Sequence, residues 1–286
     1  MDGIIVINKE VGPTSRDVVN IISKIFNTKK VGHTGTLDPG ASGVLVVCLG
    51  KALKVAEMFA NDDKEYIAGV TLGLEYDTID LYGKLLNEEE VNIPKEEIIR
   101  VVNSFKGVYN QEVPLYSAVK VNGRKLYQYA RSGQSVELPS KEVNIKEIKV
   151  LDDIMYIEGK IYFKIRCVVS KGTYIRSLVR DIGKKLGTIA VMNSLVRTRQ
   201  GMFNINDSFN IEDIVNDNYK AISITEAFPN IKTIKVNDEM AFKVRNGVII
   251  KNLFDDNMAF ITDNNDNLIA LYRKDSNNCR AYKMFL

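Results

Sequence analysis

The feature that most constrains this chain is the order of its hydrophobic patterns. Short apolar runs of strand type and stretches of helical period are interspersed without the strict strand-helix-strand alternation that a doubly wound parallel sheet requires. Residues 4–7 (IIVI) and 44–49 (VLVVCL) are compact runs of strand length. KEYIAGVTLG from Lys64, LYGKLL from Leu81, LYSAVKV from Leu115, KEVNIKEIKVL, IYFKIRCVVS and IAVMNSLVRTR also read as strands. Helices are predicted over TSRDVVNIISKIF, KALKVAEMF, IPKEEIIRVVNSFKG, GRKLYQYARSG and GTYIRSLVRDIGKKLG. In the first of these, Thr14 and Asp17 have capping-box spacing, and Gly187 closes the last. The pattern predicts an α+β protein.

With 286 residues, the chain exceeds the usual size of one core, which favours a large domain with a small one attached. Beyond about residue 206 the sequence turns rich in Asn and Asp, and MAFITDNNDNLIALYRK gives two short strands across a polar turn. A boundary near 230 is predicted, with domains over 1–230 and 231–286. The opening MDGIIVINKE lacks the basic start and long apolar core of a secretory signal, and no apolar run approaches the ~20 residues of a membrane helix. A cytoplasmic location is expected. Three scattered cysteines and the single histidine, His33, cannot assemble a zinc set, so no metal is expected. Charge is unevenly spread: residues 57–100 hold 12 acids and 4 bases, whereas residues 164–199 hold 9 bases and 1 acid, so one part of the molecule can attract phosphates.

Between the first helix and the run VLVVCL lies KKVGHTGTLDPGASG, with four glycines and a proline, which reads as an irregular loop bracketed by rigid elements. It carries Asp38. Taken alone, Asp-Pro-Gly is ordinary turn chemistry. Gly50-Lys51 lacks the rest of a P-loop, and no G-x-S-x-G occurs.

The segment GHTGTLDPGASGVLVV resembles the catalytic loop of the TruB-type pseudouridine synthases, which act on uridine 55 of tRNA. The opening GIIVINKEVGPTSRDVV and the later LGLEYDTIDLYG, PLYSAVKVNGRKLYQYAR and SKGTYIRSLVRDIGKKLG are similar to that family's other blocks, in the same order, from residue 3 to about 203. Where the family commonly has a basic residue after the leucine of LVRTRQGMF, this chain has Val196. The resemblance implies a pseudouridine synthase fold: a central mixed, largely antiparallel sheet flanked by helices, plus a small β-rich PUA-like C-terminal domain. It also implies that Asp38 is the catalytic aspartate, Tyr66 the tyrosine packing on the target uracil and Arg176 the partner of Asp38. Tyr174 and Leu195 match the uridine pocket, and His33 matches a histidine that stacks within the T-loop. Asp77 and Asp80 fall in a segment that supports the pocket or contacts RNA.

Residue chemistry agrees with these roles. Isomerisation breaks the N1–C1′ bond, turns the base and joins C5 to C1′ with no redox change, so a carboxylate suffices and no cofactor is expected. An adjacent guanidinium would keep that carboxylate ionised and aimed. The base must leave its stack to be reached, and an aromatic face can receive it. Lys171, Arg180 and Lys184 lie in or near one helix, where Arg176, Arg180 and Lys184 recur every four residues, and are expected to meet RNA phosphates. The expected partner is the T-stem-loop of tRNA, bound by a monomer. Three alternatives differ in kind: a guide-RNA-dependent subunit, a non-catalytic RNA-binding protein on the same scaffold, and a glycoside hydrolase. The last needs a second carboxylate near the scissile bond.

Overall fold

The structure, a computed structural model, describes residues 1–286 apart from the side chain of Asp152. The strands are β1 (Gly3–Lys9), β2 (Val31–His33), β3 (Ala41–Leu49), β4 (Lys64–Leu72), β5 (Leu74–Tyr76), β6 (Leu85–Glu88), β7 (Gly107–Glu112), β8 (Lys120–Val121), β9 (Arg124–Lys125), β10 (Ser140–Ile157), β11 (Lys160–Val169), β12 (Ala190–Gln200), β13 (Phe203–Asn204), β14 (Lys232–Lys235), β15 (Ile250–Lys251), β16 (Met258–Thr262), β17 (Leu268–Asp275) and β18 (Asn278–Met284). The helices are α1 (Ser15–Ile25), α2 (Ala56–Ala60), α3 (Lys95–Asn103), α4 (Leu126–Ser132), α5 (Ile175–Lys185), α6 (Ile211–Val215) and α7 (Asp238–Arg245).

A large sheet runs in the order β1-β3-β12-β4-β11-β10-β7, with β2 paired to β3 and β13 to β12. All of its ladders are antiparallel except β3 with β12, so the fold is the mixed, mostly antiparallel α+β sheet that the sequence implied. Both of its faces are covered, which is why IIVI and VLVVCL are apolar without a break. Period-two alternation sends Ile5, Ile7, Leu45, Val47 and Leu49 to one face, where α1, α3 and α5 pack. Ile4, Val6, Val44, Val46 and Cys48 go to the other, against Phe59 and Phe203.

That second face also receives Phe260, Leu271 and Phe285 from a smaller sheet, ordered β14-β16-β17-β18-β15, and Phe228 stacks on Phe59 with centroids 4.5 Å apart. The smaller sheet has a core of its own around Val236, Val244, Ile261 and Tyr272. The boundary expected near 230 falls just before β14, but the apolar cluster crosses it.

Several local expectations are corrected. The Gly-rich loop is not wholly irregular, since Val31–His33 pairs with β3 as β2. KALKVAEMF is a 3₁₀ turn over Gly50–Val55 followed by the short α2. LYSAVKV contributes only the two residues of β8, because the main chain of Tyr116 and Ser117 is engaged elsewhere: the Tyr116 carbonyl accepts from Arg176 and that of Ser117 from the Tyr127 amide. In LYGKLL, only Leu85 and Leu86 are in a strand. The capping box of Thr14 and Asp17 and the left-handed Gly187 form as read from the sequence.

Candidate active site

Asp38 lies in the loop between β2 and β3, and this loop is held chiefly through its main chain. The Ser15 hydroxyl, at the start of α1, donates to the Leu37 carbonyl at 2.9 Å and accepts from the Leu37 amide at 2.8 Å. The Lys9 ammonium, at the end of β1, donates to the carbonyls of Pro39 (3.5 Å) and Ala41 (2.7 Å). Arg197 of β12, fully buried, donates to Val44 O (2.7 Å), Thr36 O (3.4 Å) and Gly35 O (3.0 Å). A buried cation with neutral acceptors is costly to desolvate, so three carbonyls in fixed positions are the condition for keeping it there. Burial is the main reason the Lys9 ammonium lies below its ordinary pKa, and Asp38 pulls it back up.

The register that brings this loop to the sheet centre requires Gly43. Its φ is +99°, and a Cβ there would fall 2.3 Å from the carbonyl oxygen of Arg197, on the parallel neighbour β12. The same pairing sets Leu195 opposite Ala41, while the β4–β12 ladder sets Arg197 opposite Tyr66.

Arg176 enters from the first turn of α5, with only 7% of its side chain exposed. A cation at a helix N-terminus opposes the helix dipole, so it needs strong acceptors. Its Nη2 contacts Asp38 Oδ2 at 2.9 Å and donates to Tyr116 O at 3.1 Å, its Nη1 donates to Thr78 O at 3.0 Å, and Asp80 Oδ2 lies 3.8 Å from Nε. Asp38 itself is 43% exposed and opens onto solvent on its other side. The guanidinium is therefore a fixed, dry support and Asp38 the half-exposed end of the pair.

Asp38, Tyr66, Tyr174, Arg176 and Leu195 line one cavity of about 390 Å³, together with Leu37, Tyr116 and Tyr127. Tyr174 is the N-cap residue of α5, and the Gln111 side chain clamps its backbone from both sides: Oε1 accepts from the Tyr174 amide at 2.8 Å and Nε2 donates to its carbonyl at 3.1 Å. Burial, foremost, pushes the Tyr174 phenol above its usual pKa, so it stays a neutral donor.

His33 is not part of this cavity. It sits at the end of β2, half-buried, with Nδ1 lacking a partner among the described residues, and burial followed by Arg16 and Arg197 lowers its pKa. Lys171 and Lys184 are exposed and do not line the cavity. Arg180 departs from the phosphate-facing expectation: its side chain is largely buried and paired with Glu112 and Asp181, each at 2.9 Å. Asp77 and Asp80 are likewise occupied by protein donors, Asp77 by Tyr116 Oη (3.0 Å) and the Lys84 amide (2.7 Å), Asp80 by Thr78 Oγ1 (2.6 Å) and the Tyr82 amide (3.1 Å).

Lys9, Ser15, Gln111 and Arg197 escaped the sequence reading. What they share is contact with main chain, which no residue type in the contacted segment announces.

A cavity built on one supported carboxylate and lined by tyrosines falls into the class of the pseudouridylate synthases. Residues 23–175 match the family described as TruB family pseudouridylate synthase (N-terminal domain), and residues 176–227 match the tRNA pseudouridylate synthase B C-terminal domain. A curated relative from Bacillus cytotoxicus, tRNA pseudouridine synthase B, is 41% identical over 95% of this chain and 92% of its own length. A relative of the same name from Clostridium tetani is 46% identical over 88% of this chain and 86% of its own. Among solved structures, an H/ACA RNP bound to a substrate RNA containing 2′-deoxyuridine superposes with a TM-score of 0.71 at 26% identity, covering 99% of this chain and 85% of that one. A Cbf5-Nop10-Gar1 complex gives 0.71 at 28% identity with the same coverage. The chain belongs to the TruB family of pseudouridylate synthases.

Proposed function

We propose that this enzyme isomerises the T-loop uridine at position 55 of tRNA to pseudouridine, with Asp38 as the catalytic carboxylate. The observation that carries the reading is the Asp38–Arg176 ion pair, open on the Asp38 side into a cavity shared with Tyr66, Tyr174 and Leu195. Arg176 fixes the orientation of Asp38, so that the carboxylate can start cleavage of the N1–C1′ bond. Tyr66 offers its ring to the extruded uracil, and Leu195 and Tyr174 close the space in which the base turns before C5 bonds to C1′. The reaction balances without oxidant, reductant or acceptor, and no cofactor or metal is assigned.

Lys171 and Lys184, both exposed, are assigned to the RNA backbone, and His33 to the T-loop itself. The sheet over 231–286 is read as a PUA-like domain that helps hold the tRNA. The enzyme acts as a cytoplasmic monomer without guide RNA, a reading supported by curated tRNA pseudouridine synthases at 41–46% identity, against 26–28% for the RNP-type structures.

The test is pseudouridine mapping in an unmodified tRNA transcript treated with purified protein. The wild type should form product alone. Asp38→Asn should form none while binding tRNA within about tenfold, ~1.4 kcal/mol, of wild type. Undiminished product from this variant would remove Asp38 from the chemistry.

A further inference from the structure

The loop between β5 and β6 carries an aromatic side chain that the site described above does not use. Tyr82 is 67% exposed and does not line the cavity of Asp38. It nevertheless touches the catalytic loop. A Cβ on Gly40, two residues beyond Asp38, would fall 2.1 Å from Tyr82 Cε2 and 2.8 Å from Cζ, so one edge of the ring fills the place a side chain would take.

The backbone beneath this ring is pinned although the ring is open. The Tyr82 amide donates to Asp80 Oδ1 at 3.1 Å, the Lys84 amide to Asp77 Oδ1 at 2.7 Å, and Asp80 in turn neighbours the Arg176 guanidinium. Both carboxylates of the loop are turned to protein donors, and Leu81 beside Tyr82 is itself exposed. What the loop exposes is Leu81, Tyr82 and the cation of Lys84. A ring held in place over a pinned backbone loses little freedom on meeting a nucleobase.

We propose that Tyr82 is a stacking platform for a nucleobase of the RNA other than the target uridine, one that flanks it when the target enters the cavity. The inference rests on the RNA substrate assigned above and adds a second base-binding position on the outer side of Gly40. A stacking face accepts any base, so the platform contributes affinity and register rather than sequence choice.

The experiment uses the full-length protein, the unmodified tRNA transcript and a hairpin RNA carrying the target uridine, with Tyr82→Ala, Tyr82→Leu and Tyr82→Phe. Tyr82→Ala and Tyr82→Leu should raise KM and the RNA Kd about fivefold or more, with kcat within twofold, and Tyr82→Phe should stay within twofold on every parameter. Tyr82→Leu keeps an apolar cover over Gly40 without a stacking face, which separates stacking from support of the loop. Abasic substitution at each position flanking the target should find one position where wild type loses affinity and Tyr82→Ala loses no more. KM and Kd within twofold for Tyr82→Ala, or a fall in kcat at unchanged KM, would overturn the platform, as would equal losses in both proteins at every abasic position. Wild type that binds RNA but makes no pseudouridine would instead sink the proposed activity, and the Kd comparison would still decide the role of Tyr82.

Discussion

At the scale of single residues, the site is a division of labour between one half-exposed carboxylate and several buried groups that hold it and its loop in place. Asp38 and Arg176 stand far apart in sequence, and their pairing was legible only because both fall in blocks resembling one family; neither periodicity nor charge would have joined them. Arg197 and Lys9 were illegible for a physical reason. They bind carbonyls, which every residue has, so nothing in the sequence of the loop announces them. His33 supplies a prediction at this scale. Its folded-state pKa is below the ordinary value of 6.5, so between the two values the unfolded chain binds the proton and the native protein does not. Stability is then full above about 6.5 and falls as pH drops through that value toward the folded pKa. The melting temperature of wild type, measured between about pH 5 and 7, should therefore fall relative to that of His33→Gln as pH drops. A constant separation would show that burial does not restrain His33 from protonation.

At the scale of elements, strand and helix identities were readable wherever a run was buried on a regular face, and failed where the main chain serves the site. The expected strand from Leu115 gives way to bends because Arg176 and Tyr127 take the carbonyls of Tyr116 and Ser117. The turn after β5 shows the same priority. Ile79 has φ +63°, a region in which a β-branched residue is strained, between Thr78, whose carbonyl receives Arg176, and Asp80 beside the same guanidinium. The strain is tolerated because this conformation aims two acceptors at one cation. Replacing Ile79 by Gly or by Ala removes nearly the same packing, yet only Gly adopts this backbone freely. Ile79→Gly should be more stable than Ile79→Ala by about 1 kcal/mol in urea unfolding, the reverse of the order at ordinary helix or strand positions. An alanine variant as stable as the glycine variant would mean that the turn relaxes without cost.

At the scale of the whole molecule, the sequence suggested a division near 230, and the structure qualifies it with the shared apolar cluster of Ile4, Val6, Val44, Phe59, Phe260 and Phe285. Composition changes about twenty-five residues before β14 begins, and it carries no sign that the smaller sheet covers the back of the larger one. A chain ended at residue 230 should aggregate on expression, whereas the full chain should melt in a single calorimetric transition; a soluble, active 1–230 fragment would contradict this. The strand order has a consequence for how the protein is made. β12 is inserted between β3 and β4, although it is synthesised more than a hundred residues after either. Until residue 200 has left the ribosome, Ala41–Gly43 of β3 and the length of β4 lack the partner strand that will lie between them, and the loop of Asp38 lacks the Arg197 that fixes it. The nascent chain thus passes through a long interval in which it is sticky and catalytically unfinished, and its yield in the cell depends on what shields those strands while translation runs on.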